Sequence, residues 1–259
     1  MSAEIPGFAH CDVTRDDRDV YTARICEAKS LNILSTAVIN SVTAALAWIS
    51  TRDDARAVIL RGSGDRAFVG GADIFEMATL DSVTARTFIT NLGQLCEAVR
   101  RVPVPTIARL PGHCLGGGME IAAACDIRLA SADAVFAMPE VRVGIPSVIH
   151  AVLLPRLIGP GATNWMLLTG ESIDAEQASK WGFVEFLCAP GELDNLIEKT
   201  VAPIVESGPA AIRIQKALLR AWETDTIDEG VARSIDAFAE AFETDEPQRY
   251  MAPFVNRKK

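Results

Sequence analysis

Short apolar runs of strand length alternate with longer amphipathic ones over the first two-thirds of the chain, and from about Ser147 onward the short runs nearly disappear. The segments VYTARIC (20–26), AVILRG (57–62), TIARL (106–110), DIRLAS (126–131) and AVFAM (134–138) have the length and the aliphatic content of buried strands. Ser35 is placed to cap a helix carrying Val38, Ile39, Val42, Leu46 and Ile49 at helical spacing. Asp81 precedes a second helical run through Phe88, Leu92, Leu95 and Val99. VPVP (102–105) stops that run, because proline fixes φ and lacks the N–H a helix needs. ATNWMLLTG, DAEQASKWG, LDNLIEKTVAPIVESG, PAAIRIQKALLRAWET and DEGVARSIDAFAEAFET all read as helices. The expected architecture is an α/β core followed by a helical lobe.

Bulk properties exclude several classes of function. The 259 residues carry 25 Lys and Arg against 34 Asp and Glu, a formal net charge of −9, which is no electrostatic footprint for nucleic acid. The six cysteines (Cys11, Cys26, Cys96, Cys114, Cys125 and Cys188) form no C-x-x-C pair and read as small buried thiols of a reducing compartment. The start MSAEIPGFAH lacks the basic and apolar regions of a secretory signal, and Asp126 and Arg128 interrupt the most apolar stretch before it reaches membrane-spanning length. A cytoplasmic protein with no membrane partner is expected.

Two dinucleotide or nucleophile patterns are weak. GSGDRA (62–67) fits G-x-G-x-x-G/A after a strand, but no capped helix opens behind it to receive a pyrophosphate. His10, His113 and His150 have no metal-ligand spacing, so no metal is expected. Ser147 and His150 are close enough in sequence for a nucleophile and base, yet Ser147 after Pro146 is better placed to N-cap the run VIHAVLLPRL.

Two glycine runs carry more. In LPGHCLGGGMEIAAACD a strand ends near Leu110, Gly116, Gly117 and Gly118 follow, and an apolar helix begins around Met119. Such a turn lets a ligand approach the backbone, with unpaired N–H groups and the positive end of the helix dipole facing it. AFVGGADIFEM (67–77) supplies a second bare turn at the end of another strand, and two aimed N–H groups make an oxyanion hole. Glu120 lies one turn into the helix that Gly117 opens, and Glu140 follows the strand AVFAM directly after Pro139.

These segments resemble the crotonase superfamily, the enoyl-CoA hydratases and isomerases. AKSLNIL (28–34) is similar to an early K-x-L-N segment, AFVGGADIFEM to F-x-x-G-A-D-x-x-E-M, and GHCLGGGMEIAAACDIRLAS to G-x-x-x-G-G-G-x-E-x-x-x-x-x-D-x-x-x-A. LLTGESIDAEQASKWGFV resembles the helix pair after the core, and YMAPFVNRK the closing helix. The resemblance implies an α/β spiral of ββα units over residues 1–195, holding an acyl-CoA site. It implies a C-terminal helical lobe over 196–259 that assembles homotrimers, often paired into hexamers. It implies no cofactor, coenzyme A entering as the substrate thioester.

Carried over residue by residue, the resemblance puts the oxyanion donors at Ala72 and Gly117. It assigns Glu120 to the attacking water and Glu140 to protonation of the α-carbon, and it adds Lys29, Leu31, Gly71, Asp73, Ile74, Gly116 and Phe254 as substrate or CoA contacts. Two nearby carboxyls in a partly dry pocket share a proton, and the sequence does not say which holds it. The implied reaction is water addition to a 2-enoyl-CoA, with enoyl isomerisation as one alternative. Hydrolysis of a thioester or C–C bond, with His150 or Glu140 activating water, is the other.

Two departures from the family pattern stand out. GIPSVIHAVLLP puts Ser147, Val148 and Ile149 where hydratases usually have a glycine-rich turn, so the acyl pocket should be narrowed or reshaped. Phe75 occupies a position where many relatives carry a lysine, leaving CoA phosphates to Lys29, Arg66 and one of Arg257 or Lys258.

Overall fold

The computed structural model describes residues 4–256. The strands are β1 (Cys11–Arg15), β2 (Val20–Ile25), β3 (Ala57–Arg61), β4 (Ala67–Val69), β5 (Thr106–Leu110), β6 (His113–Leu115), β7 (Ile127–Ser131), β8 (Val135–Ala137), β9 (Ser172–Asp174) and β10 (Phe186–Cys188). The core helices are α1 (Thr36–Ser50), α2 (Ile74–Met77), α3 (Ser82–Arg101) and α4 (Gly117–Ala124). They are followed by α5 (Leu154–Leu157), α6 (Gly159–Thr169), α7 (Ala175–Trp181), α8 (Leu193–Glu206), α9 (Pro209–Ala221), α10 (Ile227–Ala241) and α11 (Glu246–Val255).

The chain winds as a spiral in which each coil gives one strand to each of two sheets. β3, β5 and β7 begin successive coils and lie side by side in a six-stranded sheet of order β1-β2-β3-β5-β7-β10. β4, β6 and β8 follow them, pairing in a four-stranded sheet of order β4-β6-β8-β9. Parallel neighbours need a crossover, and here the second strand and the helix of each coil supply it. The register stacks Ile59 on Ile107 on Ile127 in the large sheet and Ala67 on His113 on Val135 in the small one. Adjacent coils touch so closely that a side chain at Gly112 would strike the carbonyl oxygen of Arg66. GSGDRA is therefore a turn between β3 and β4, and no helix follows it directly.

The helix signals in the sequence correspond to physical caps. The Ser35 side chain accepts from the Val38 N–H at the start of α1. Asp81 accepts from the N–H groups of Val83 and Thr84 while Thr84 Oγ1 accepts from the Asp81 N–H, a reciprocal capping box. α3 then buries Phe88, Leu92, Leu95, Cys96 and Val99 along one stripe, each full burial contributing about 1.5–3 kcal/mol.

Three findings depart from the expected order of elements. β9 and β10 lie beyond Ser147, where no strands were expected; at three residues each, they are too short to show a period. The run VIHAVLLPRL does not form one helix but a 3-10 turn (Ile149–Leu153) running into α5. Residue 195 lies inside α8, whose Leu193, Ile197 and Val201 cover the outer face of the large sheet against Val20, Ala57, Ile107 and Leu129.

α9 is held to the core by one buried and one half-buried cation. Lys216 Nζ donates to the Val104 carbonyl at 2.7 Å and lies 2.7 Å from Asp126 Oδ2. Arg213 donates to the carbonyls of Arg52, Asp53 and Ala55, each at 3.0 Å. Breaking a buried ion pair from one side strands its partner, so Lys216→Ala is expected to cost about 3 kcal/mol. Urea unfolding checks this, and a midpoint unchanged from the parent chain would show that α9 does not depend on Lys216. No helix among the described residues is long and apolar enough to cross a membrane.

Candidate active site

The turn after β4 is built so that one N–H is left over. Leu34 pairs with Ala72 as an isolated bridge, its N–H donating to the Gly71 carbonyl at 2.9 Å and its carbonyl accepting from the Asp73 N–H at 3.0 Å. In that pattern the residue between the two bonded neighbours turns its own amide the other way. Among the described residues the Ala72 N–H has no acceptor, and Ala72 lines an open cleft of about 670 Å³. The Gly117 N–H, in the first turn of α4, also has no acceptor among the described residues and lines the same cleft.

β4, which leads into this turn, is braced by Asn32, a residue that motif reading placed only in the K-x-L-N segment. Asn32 is 3% exposed and holds φ +56, a left-handed conformation that asparagine tolerates better than most residues. Its amide donates to the carbonyls of Ala67 and Phe68 at 3.0 and 3.1 Å and accepts from the Ser63 N–H at 3.2 Å. The signal in the sequence was the residue type, buried and asked to bend the chain.

Both glutamates reach the cleft. Glu120 is 4% exposed on a helix whose residues are all buried, and its Oε1 accepts from the Ala151 N–H at 3.1 Å. Burial pushes its carboxyl up to about 8; the charge of Glu140 adds to the shift and the Ala151 bond opposes it. Glu140 opens a 3-10 turn (Glu140–Val143) and is half-buried, its Oε2 accepting from Ser147 Oγ at 2.8 Å. Gly116 sits between them at φ +53, and a Cβ there would lie 2.5 Å from Glu140 Oε1, so only glycine fits. The remaining wall is apolar: Met77, Phe88, Ile89, Leu92, Ile145 and Val148.

A family model described as enoyl-CoA hydratase/isomerase matches residues 17–259. The chain belongs to the enoyl-CoA hydratase/isomerase family. It is similar to a short-chain-enoyl-CoA hydratase of Clostridium acetobutylicum, 34% identical over 242 residues that make up 93% of this chain and 92% of that protein. It is also similar to a crotonyl-CoA hydratase of Syntrophomonas wolfei, 33% identical over 89% of each chain. A crystal structure described as an enoyl-CoA hydratase of Mycobacterium smegmatis matches with a TM-score of 0.92 at 29% identity, over 96% of this chain and 97% of that one. The spiral with two mixed sheets and C-terminal helices is the fold of that family.

Within this enoyl-CoA hydratase/isomerase family member, the expected site residues divide into two groups. Gly71, Ala72, Ile74, Gly116, Gly117, Glu120 and Glu140 share the cleft. Lys29, Leu31 and Asp73 stand beside the Ala72 turn. Lys29 Nζ lies 2.6 Å from Asp73 Oδ2, holding that carboxyl below the usual range, and 5.1 Å from the centre of the Phe75 ring. The Leu31 carbonyl accepts from the Gly70 N–H at 2.8 Å. Phe254, on α11, is 73% exposed and does not line the cleft within this chain. Arg66 is exposed in the β3–β4 turn, and Arg257 and Lys258 lie outside the described residues.

Two expectations for the turn after Gly144 are corrected. Ser147 does not cap a helix; the residue at the start of the 3-10 turn is Val148, and the Ser147 hydroxyl reaches back to Glu140 instead. The left-handed Gly144 (φ +80) doubles the chain back far enough to make that contact. His150 does not face the cleft. Its Nε2 lies 3.0 Å from Glu97 Oε1 in a separate groove between α1 and α3, and burial lowers its pKa. A hydrolase using His150 as base at this cleft has no geometric support. Of Ser147, Val148 and Ile149, only Val148 is among the residues lining the cleft; Ile149 lies in the groove with His150.

Proposed function

We propose that the chain is an enoyl-CoA hydratase that adds water, without a cofactor, to the double bond of a 2-enoyl-CoA thioester. The observation that carries this is the convergence of two carboxyls and two unpaired backbone donors on one apolar cleft. The thioester oxygen would sit between the N–H groups of Ala72 and Gly117. As the water oxygen bonds to the β-carbon, the electron pair of the double bond moves toward that carbonyl oxygen as an enolate. Donors fixed there in advance stabilise the enolate without reorganising.

The carboxyls act as a unit carrying one proton. The carboxylate takes a proton from the attacking water, and the carboxylic acid delivers its own to the α-carbon as the enolate collapses. Hydroxyl ends on the β-carbon, hydrogen on the α-carbon, and the shared proton has changed glutamates. Burial favours Glu120 as the member that holds it at rest, which leaves Glu140 to accept from water, the reverse of the division implied by the family resemblance. Isomerisation of a double bond needs only one carboxylate, so the presence of both favours water addition.

Lys29 and Arg66 are the cations offered to the CoA phosphates, and Asp73 holds Lys29 at the turn. An aliphatic acyl chain suits the apolar wall. A homotrimer or hexamer belongs to the same proposal: Ile235, Phe238, Phe242, Met251 and Phe254 expose a broad apolar surface on α10 and α11. Crotonyl-CoA tests the reaction. The enoyl-thioester absorbance should disappear with a mass gain of one water and no free thiol. Thiol release without hydration would replace the hydratase by a thioesterase.

A further inference from the structure

We infer that Ser147 is a positioning residue that orients the Glu140 carboxyl in the cleft. Its hydroxyl donates to Glu140 Oε2 at 2.8 Å, and the other carboxyl oxygen rests against the Gly116 backbone. Both oxygens of Glu140 are thereby placed. A hydroxyl fixed on one carboxyl oxygen holds the group in a single orientation toward the cleft that both glutamates line.

The segment that carries Ser147 is held at several points. Ser147 bonds Glu140 through its side chain, while Ala151, four residues on, bonds Glu120 through its N–H. His150 is fixed on Glu97. Between them Ile149 stands at φ +39, a conformation unfavourable for a β-branched residue and kept only where its surroundings over-determine it. One short turn therefore holds both glutamates, each by a different kind of donor.

No other group competes for the role. From α4 the titratable neighbour is Glu120 itself. α6, which packs against the Glu140 turn, carries no titratable side chain. Arg142, on the turn itself, is paired with Glu171 and donates to the Thr169 carbonyl, and His150 is turned to Glu97. Among the described residues the Ser147 hydroxyl is the donor to Glu140.

The inference rests on the hydratase proposal for its kinetic consequence but not for the orientation of Glu140. Ser147→Ala should lower kcat on crotonyl-CoA by about tenfold or more, with KM nearly unchanged. Ser147→Gly should do the same, and Ser147→Thr should restore kcat. Crystal structures of the two variants should show the Glu140 carboxyl turned away from the place it holds against Gly116. A Glu140 carboxyl unmoved in both variants, or a full kcat in either, overturns the assignment. If the parent chain hydrates no enoyl-CoA, the proposed function fails while the variant structures still decide the role of Ser147.

Discussion

Glu120→Gln is expected to lower turnover about a hundred- to ten-thousand-fold while making the folded chain more stable above neutral pH. The two effects have one cause. Glu120 is nearly fully buried, and its carboxyl is raised from an ordinary value of 4.5 to about 8. Between those values the folded chain holds a proton that the unfolded chain releases. Stability is therefore fully present below about pH 4.5 and falls as pH rises through about 8. Because the unfolded chain gives up its proton first, the folded chain loses roughly 5 kcal/mol of relative stability across the window. Glutamine carries no such charge, and its amide oxygen can still accept from the Ala151 N–H.

Urea unfolding of both proteins at pH 5.5, 7 and 8.5 should show the curves separating as pH rises, with the variant the more stable. Parallel curves would mean that Glu120 does not hold the proton. The same titration should place the alkaline limb of kcat/KM near pH 8, where the pair loses its acid. Glu140→Gln should cost turnover on a similar scale, since either change leaves the pair unable both to accept and to donate. Full activity in either variant would remove that residue from the mechanism.

Ala72→Pro is expected to remove nearly all activity, by about a hundred- to a thousand-fold or more in kcat, whereas Ala72→Ser should stay within a few-fold of the parent. The methyl group has no assigned part; the N–H does. Proline deletes that N–H without removing a bond to Leu34, because the bonds joining this turn to Leu34 run through the Gly71 carbonyl and the Asp73 N–H. Circular dichroism and urea midpoints separate a misfolded variant from a folded but inactive one. A folded Ala72→Pro protein retaining more than a tenth of parental kcat would show that the thioester oxygen is held elsewhere.

Much of the scaffold was legible because its causes are local. Ser35 and Asp81 cap the helices they precede, since a short oxygen-bearing side chain can reach N–H groups two or three residues on. The stripe from Phe88 to Val99 reports its own burial through its spacing. The two glycine runs marked where backbone would lie open, and both line the cleft.

The three-residue strands β6, β9 and β10 were not legible, since three residues hold no measurable period and their pairing partners lie in other coils. The same limit applied to Ser147. Its local setting after Pro146 suggested a cap, while its partner proved to be Glu140, seven residues back across a left-handed glycine. The sequence by itself determined the order of caps, stripes and glycine turns, and with them the family, because each depends on neighbours along the chain. Only the tertiary structure decided that Glu120 is buried and that Ser147 meets Glu140. Burial and hydrogen bonding across the cleft depend on which coils come together in space, and no local pattern encodes that.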